Sequence, residues 1–546
     1  YIWNIDYVTD IAREYKKLCP SVPIWVGGPE VSYEVEAFLR ENPYIDGVMI
    51  GEGEDTFREL CGYYAHKRKL SDIAGIAFRK NSTGNSTSNR TSVNNAGCKA
   101  DEIVFTSPRP IKNMSEIPFC YDTLDDFSNR IIYYESSRGC PFSCSYCLSS
   151  VDKTLRFRDT RIVKRELKFF IDQKVPQIKF VDRTFNCNHA HAMELWRFIK
   201  ANDNGVTNFH FEISADLLNQ EELELISDMR PGLIQLEIGV QSTNEVTIKE
   251  IHRTMKLERL KEVVRLIQSG NNIHEHLDLI AGLPYEDYDS FGRSFDEIYE
   301  LKPNQLQLGF LKVLKGSYMF EHAAEYGIVY HDKPPYEVMS TKWLSFDDVI
   351  KIKRVEDMLE VYYNSGQFEI TMKLMECIFD SAFEFFQELG DFYEANGYFG
   401  MSHSRIRRCE ILLEFLALYL HGCDNDAMTS VVLSENDGDR DNTDFDENAQ
   451  IYKMIQESLI FDLYYRENCK SRPVWATDIG SFKHMTHAYC KNGKLSHVEP
   501  FHYIFPDKHT RKLDELPKYH KEPVWALFHY DMRDPLDHQA LVEYVE

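Results

Sequence analysis

Three cysteines stand closer together than any others in the chain. In SSRGCPFSCSYC, Cys140, Cys144 and Cys147 form a C-x3-C-x2-C array directly after an apolar strand candidate, IIYYESS. Thiolates bind iron strongly, and three ligands from one loop leave the fourth iron of a [4Fe–4S] cluster without a protein ligand. An open iron of that kind can chelate a second molecule. Two other readings compete: a zinc site, or three unrelated buried thiols, since cysteine is often a small core residue. Zinc would want a fourth Cys or His at finger-like spacing, and none follows closely.

Polar side chains recur at the ends of the strands that come next. Asp182 and Arg183 close the second strand in FVDRTFN, Glu212 the third in FHFEIS, Glu237 and Gln241 the fourth in LEIGVQS, and Asp278 to Pro284 form DLIAGLP on the fifth. Any one of them could merely cap a helix or pair with a lysine; the reading rests on the set. Upstream, GGPEVS (with Gly27 and Gly28) and GEGEDTF (with Gly51 and Gly53) sit at strand-to-helix turns. Glycine there lets the backbone approach a bulky ligand, and the helix start offers free N–H groups. Many α/β folds use glycine at such turns.

The elements that must position these groups are legible from periodicity. Residues 1–78 alternate helix and strand: an amphipathic run to Lys17, the strand VPIWVGG, a helix after Ser32, DGVMIGEGE, and a helix from Asp55. This predicts a parallel, doubly wound sheet with its ligand at the strands' C-terminal ends. Residues 79–130 read as a linker holding a polar insertion, KNSTGNSTSNRTSVNN, with no apolar period. Residues 131–318 hold six βα units, whose strands are IIYYESS, QIKFVDRTF, NFHFEIS, LIQLEIGVQS, IHEHLDLIAGLP and QLQLGFLKVL. Six units fit a partial, TIM-like (β/α)6 barrel with functional groups at the C-terminal ends of its strands. Residues 319–546 change to long aromatic-rich helical runs, interrupted by the acidic stretch Ser434 to Asn448, which reads as an exposed loop. The fold class is α/β with a mostly helical C-terminal domain, and no internal repeat is visible.

Composition narrows the functional classes. The 546 residues, 43% hydrophobic and 13% aromatic, are enough for several cores. A formal charge of −25, from 87 acidic and 62 basic residues, argues against general attraction to nucleic acid. No run of about 18 uncharged apolar residues and no signal-peptide pattern appear, so no membrane partner and a cytoplasmic location are expected. Thirteen cysteines then read as thiols and metal ligands, not a disulfide framework. The opening segment, YIWNIDYVTDIAREYKKLCP, begins inside an α/β unit, which leads us to expect a fragment lacking upstream residues.

The cysteine array resembles that of the radical S-adenosylmethionine (SAM) superfamily. The resemblance implies that the open iron binds the amino and carboxylate groups of SAM and that reductive cleavage yields methionine and a 5′-deoxyadenosyl radical. It places Tyr146 near the adenine, and Asp182, Arg183, Glu212, Glu237 and Gln241 near the methionine and ribose. With GGPEVS and GEGE ahead of the barrel, the order resembles the B12-dependent radical SAM subfamily, whose N-terminal domain binds cobalamin. FVDRTFN and GLPYE resemble members that carry a C-terminal domain called DUF4080. The chain departs from the cobalamin pattern at its start: the first strand and the loop for an Asp-x-His-x-x-Gly signature are absent.

The implied activity is cobalamin-dependent C-methylation, or related radical chemistry, on a small molecule or peptide, with an electron donor such as flavodoxin or ferredoxin. A methylthiotransferase-like modification of tRNA shares this domain order, but Cys19, Cys61 and Cys98 lack cluster spacing and the tail is acidic. A third alternative is a non-catalytic cobalamin- or iron–sulfur-binding sensor. In the tail, Arg405, Arg407 and Arg408 read as a solvated helix face; His484, His487 and Cys490 read as packing groups; and Phe379, Phe383 and Phe386 read as core.

Overall fold

The computed structural model describes residues 1–80, 102–121, 123–124, 127, 130–421, 447–490, 495–506, 510, 512–513, 515–534 and 536–545. The polar insertion from residue 81 onward and the acidic stretch up to residue 446 lie outside the described residues.

The first unit runs α1 (Ile5–Leu18), β1 (Trp25–Gly27), α2 (Val35–Glu41), β2 (Gly47–Met49), α3 (Glu54–Tyr64), β3 (Ile76–Arg79) and β4 (Ile103–Phe105). β1 and β2 pair in parallel, as the βα alternation predicts, while β3 and β4 join antiparallel to complete a four-stranded sheet. The sheet therefore takes in residues 103–105, beyond the boundary expected at 78. Two small apolar cores serve this unit alone, one around Val31, Leu39 and Val48, the other around Leu60, Ile73 and Ile76.

All six strands read from the sequence form one parallel sheet: β5 (Ile132–Tyr134), β6 (Gln177–Phe180), β7 (Asn208–Ile213), β8 (Ile234–Gln241), β9 (His274–Ala281) and β10 (Gln305–Phe310) lie side by side in chain order. The connecting helices include α4 (Thr160–Asp172), α5 (His189–Ala201), α6 (Gln220–Ser227), α7 (Leu257–Ser269) and α8 (Tyr288–Tyr299). Helix α4 shows why they form: Asp159 caps it by accepting from the Arg161 N–H, and Val163, Leu167, Phe170 and Ile171 make one buried stripe.

Strict alternation sorts the strands' two faces. In β8, Ile234, Leu236, Ile238 and Val240 are buried against the helices, while Gln235, Glu237, Gly239 and Gln241 face the other way. In β9, His274, His276 and Asp278 share that second face. Parallel register then sets Glu237 beside Glu212 on one side and His276 on the other, and Gly239 beside Asp278. The lumen is a stack of titratable side chains.

The C-terminal region packs α9 (Phe346–Leu359) against α11 (Ala382–Ala395), with a π-helical turn (Glu360–Asn364) and α10 (Glu369–Ile378) between them in sequence, followed by α12 (Arg405–His421) and α13 (Glu447–Arg466). Phe383 and Phe386 are buried in the core, as expected. The chain then closes with an antiparallel sheet, β11 (Ser496–Tyr503), β12 (Tyr519–Arg533) and β13 (Ala540–Val545), which adds to the helical pattern read from the sequence. One continuous apolar core runs from the barrel into this region. Among the described residues, no helix is long and apolar enough to cross a membrane.

Candidate radical site at the C-terminal end of the barrel

The cysteine loop leaves β5 through a short hairpin in which Ser137 and Arg138 pair with Phe157 and Arg156. Gly139 has φ +92°, and a Cβ there would lie 2.6 Å from the Thr154 carbonyl, so only glycine passes this turn. Cys140 and Cys144 are buried and Cys147 is half-buried, all three as free thiols. Burial pushes the Cys140 thiol up, and the neighbouring Cys147 and Cys144 add to the effect. The three sulfurs therefore sense one another. Among the described residues, no three His, Cys, Asp or Glu side chains gather closely enough to hold a single metal ion. Cysteines of a cubane each bind a different iron and need not converge on one point, so this donor set of three neighbouring thiols fits a cluster with an open iron.

A small cavity of about 140 Å³ opens beside Cys144. Arg183, Glu212, Glu237 and Gln241 line it, and so do Arg253 and Asp278. Glu237 accepts from Lys179 at 2.9 Å and lies 2.8 Å from His210; burial alone would raise its carboxyl, but these two partners hold it at about 2. Glu212 is the opposite case. Burial lifts it to about 7, with Arg183 pulling down and Glu237 pushing up. Asp278 is raised well above the usual carboxylate range, first by burial, then by Glu237 and Glu212. Buried Gln241 Oε1 and Arg253 Nε have no hydrogen-bond partner, and Asp278 Oδ1 has only the His276 ring nitrogen at 3.3 Å. Native proteins rarely leave such atoms orphaned, and where they converge on a cavity a ligand is the simplest account.

Arg253 was not among the residues singled out in the sequence. It follows β8 by one short helix in IHRTMK, with no motif around it. Its guanidinium lies 3.9 Å from Cys144 Sγ, donates to the Tyr146 hydroxyl at 3.3 Å and reaches the Gly239 carbonyl. Tyr146 thus sits within the cysteine loop, its hydroxyl raised by burial.

Asp182 is placed elsewhere. It is fully buried, accepting from the Ser136 N–H at 2.9 Å and from the Ser136 and Ser137 hydroxyls at 2.7 and 2.6 Å. Burial raises it to about 6 against those three bonds. Its oxygens fasten the strand end that feeds the cysteine loop and are not turned into the cavity.

The glycine turns of the first unit stand at the ends of β1 and β2. Gly28 and Gly51 have φ +108° and +74°, and a Cβ at Gly28, Gly51 or Gly53 would meet nothing within 4 Å; at Gly27 it would meet Met49 at 3.3 Å. Three of the four glycines thus border open space, as a bulky ligand approached by backbone requires. The acids between them are tied across: Glu52 accepts from Arg156 at 2.6 Å and from the Lys112 N–H at 3.1 Å, and Glu54 accepts from Arg138 at 2.9 Å. Arg138, two residues before Cys140, also grips Glu135 at 2.7 Å. The first unit is therefore pinned to the loop that carries the cysteines.

Family models match three consecutive stretches: a B12 binding domain over residues 1–61, the Radical SAM superfamily over 134–298, and the DUF4080 protein of unknown function over 324–539. The chain thus carries a B12-binding-type domain, a radical SAM domain and a DUF4080 region in that order. It is 23% identical over 353 residues to the "Uncharacterized methyltransferase PH0819" of Pyrococcus horikoshii, covering 63% of this chain and 71% of that one. It is 26% identical over 324 residues to the cobalamin-dependent radical SAM methyltransferase TokK of Streptomyces tokunonensis, covering 55% of this chain and 44% of TokK. In fold, it is similar to the radical enzyme OxsB solved with aqua-cobalamin and SAM, with a TM-score of 0.50 and 15% identity over 85% of this chain and 71% of OxsB.

The tail residues weighed in the sequence are used internally. Arg405 donates to three main-chain carbonyls, of Asp462, Gln367 and Leu463, and Arg407 pairs with Glu414 at 2.6 Å. His484 packs edge-on to Trp525. Cys19 and Cys61 lie in the first unit, and Cys98 falls outside the described residues.

Proposed function

We propose that this enzyme methylates a carbon of a small molecule, using a [4Fe–4S] cluster on Cys140, Cys144 and Cys147, SAM in the adjoining cavity, and cobalamin over the first sheet. When bound, the cluster supplies the electron for reductive cleavage of SAM to a 5′-deoxyadenosyl radical, and the corrin supplies a methyl carrier. The observation that carries this reading is the cavity beside Cys144, whose walls hold unpaired buried atoms of opposite character, the donor Arg253 Nε and the acceptor Gln241 Oε1, beside the buried carboxyl of Asp278.

Within that reading, Arg253 and Arg183 face a carboxylate, Glu212, Glu237 and Asp278 face an ammonium or ribose hydroxyls, and Tyr146 borders the adenine. Gly28, Gly51 and Gly53 leave the backbone free to approach the corrin. The methyltransferase names of the relatives favour methyl transfer over other radical outcomes. Burial of the cysteines and the acids keeps water from the reacting groups.

The test is anaerobic reconstitution with iron and sulfide, followed by dithionite and SAM, with 5′-deoxyadenosine measured for the wild type beside Cys140→Ala, Cys144→Ala and Cys147→Ala. The wild type is expected to exceed each variant by at least about 100-fold, because loss of one thiolate removes a cluster ligand. A wild type that binds iron and cobalamin yet yields no 5′-deoxyadenosine would favour the sensor reading.

A further inference from the structure

Active groups in a parallel barrel gather at the C-terminal ends of its strands, and the opposite face serves stability. Here the opposite face is hollow. A cavity of about 390 Å³ lies under the first residues of β9 and β10, at His274 and Gln305, and is closed by the C-terminal domain: the π-helical turn, α10, the end of α13 and the loop between β12 and β13. That volume is in the usual range of ligand pockets, and domain boundaries are a usual place for them. A π turn within a helical run is itself a frequent mark of a functional site.

Four carboxylates and three cations line this cavity, and all but one of the seven have partners: Asp534 accepts from the Leu536 and Asp537 N–H groups, and Asp537 from the Gln539 N–H. Lys302 pairs with Glu376 at 2.7 Å, and Lys373 pairs with Glu369 at 3.0 Å. Gln539 donates to the second oxygen of Glu369. Arg466, the last residue of α13, differs: among the described residues its guanidinium has no hydrogen bond and no carboxylate partner, although it lines the cavity and is half-buried. The backbone makes room for it. Gly366 sits at φ +59° just after the π turn, and a Cβ there would lie 3.1 Å from Arg466 Nη1. Asn364 fixes that wall to the barrel by accepting from the Leu306 N–H at 3.0 Å and donating to the Leu306 carbonyl at 2.9 Å.

A half-buried guanidinium without a protein partner is suited to grip a carboxylate or phosphate by paired hydrogen bonds. We propose that the barrel's N-terminal end and the C-terminal domain together form a second small-molecule site, which holds a ligand bearing a carboxylate or phosphate group on Arg466. The radical site lies at the other end of the strands, so occupancy here is independent of the cluster.

The test uses the full chain without a cluster, titrated calorimetrically at constant ionic strength with malonate and, separately, with inorganic phosphate. Saturable binding of one of them is expected, weakened at least tenfold in Arg466→Gln, and unchanged in Cys144→Ala; which probe binds separates carboxylate from phosphate. Leu536→Trp fills the same cavity without changing charge and is expected to abolish binding even if Arg466→Gln folds poorly. Absence of saturable binding to either probe, equal affinity in Arg466→Gln, full binding in Leu536→Trp, or loss of binding in Cys144→Ala would each overturn the proposal.

Discussion

Two walls of the barrel's C-terminal end are built from the same residue types and behave oppositely. On the wall of β5 and β6, every buried charge is answered. Asp182 takes three hydrogen bonds from Ser136 and Ser137. Glu166 takes Arg158 at 2.7 Å and the Tyr134 hydroxyl at 2.7 Å, and Arg158 also donates to the carbonyls of Met114 and Ile117. On the wall of β8 and β9, Gln241 and Arg253 keep unpaired atoms at the cavity, and Asp278 Oδ1 meets only the His276 ring at 3.3 Å. A buried polar group that is satisfied holds the fold; one left unpaired costs stability until something binds. The first wall positions the cysteine loop, and the second leaves polar atoms free at a cavity.

This contrast is broken most directly by one substitution on each wall. Asp182→Ala strands three donors in a dry site and is expected to cost about 3 kcal/mol in denaturant unfolding. Asp278→Asn removes a carboxylate that burial already disfavours, so unfolding is expected to change by less than about 1 kcal/mol. The functional order is reversed in kind: Asp278→Asn is expected to lower 5′-deoxyadenosine formation at least tenfold in a protein that still assembles its cluster. If Asp278→Asn proves as destabilising as Asp182→Ala, the second wall is structural too.

How much of this was visible in the sequence follows from what each kind of signal encodes. The six barrel strands were legible because burial on one face writes a period of two, and the cysteine array because its three residues stand within one loop. The strand-end acids could be seen, but not sorted. Asp182 and Asp278 look alike in FVDRTFN and DLIAGLP, and only the neighbouring strand decides: Ser136 and Ser137 of the β5 exit meet the first, while Gly239 of β8 offers the second nothing. Arg253 was invisible because its partners, Cys144, Tyr146 and Gly239, are distant in sequence and no local pattern records them. The closing β-sheet was missed because its strands follow a long helical stretch and carry polar and aromatic residues on both faces.

The union of the first unit with the barrel offers a smaller effect. That unit has its own cores, and its attachment includes Arg138, Arg156 and Lys112 meeting Glu52, Glu54 and Asp55, beside the Tyr336 hydroxyl donating to Glu30. These pairs are partly exposed, and each is expected to contribute up to about 1 kcal/mol. A double-mutant cycle between Arg138→Gln and Glu54→Gln is expected to show coupling of that size, with faster amide exchange in α3 but no change in the barrel. Zero coupling would mean that the two units are held together by something other than these ions.

The finest distinction lies between two carboxylates on adjacent strands. Glu212 and Glu237 are register neighbours, yet one titrates at about 7 and the other at about 2, against an ordinary value near 4.5. For Glu212 the folded state holds its proton more tightly than the unfolded chain does, so its contribution is fully present below about pH 4.5 and is lost as pH rises through 7. For Glu237 the contribution is present above about pH 4.5 and is lost as pH falls toward 2. Subtracting the unfolding free energy of each Glu→Gln variant from that of the wild type, both without ligands, isolates the two groups from Asp182 and Glu286, which are also raised. The Glu212 difference is expected to fall by about 1–3 kcal/mol between pH 4.5 and 7.5, and the Glu237 difference to fall between pH 4.5 and 3. Slopes of the same sign would show that Lys179 and His210 do not single out Glu237, and the division of labour inside the lumen would have to be drawn elsewhere.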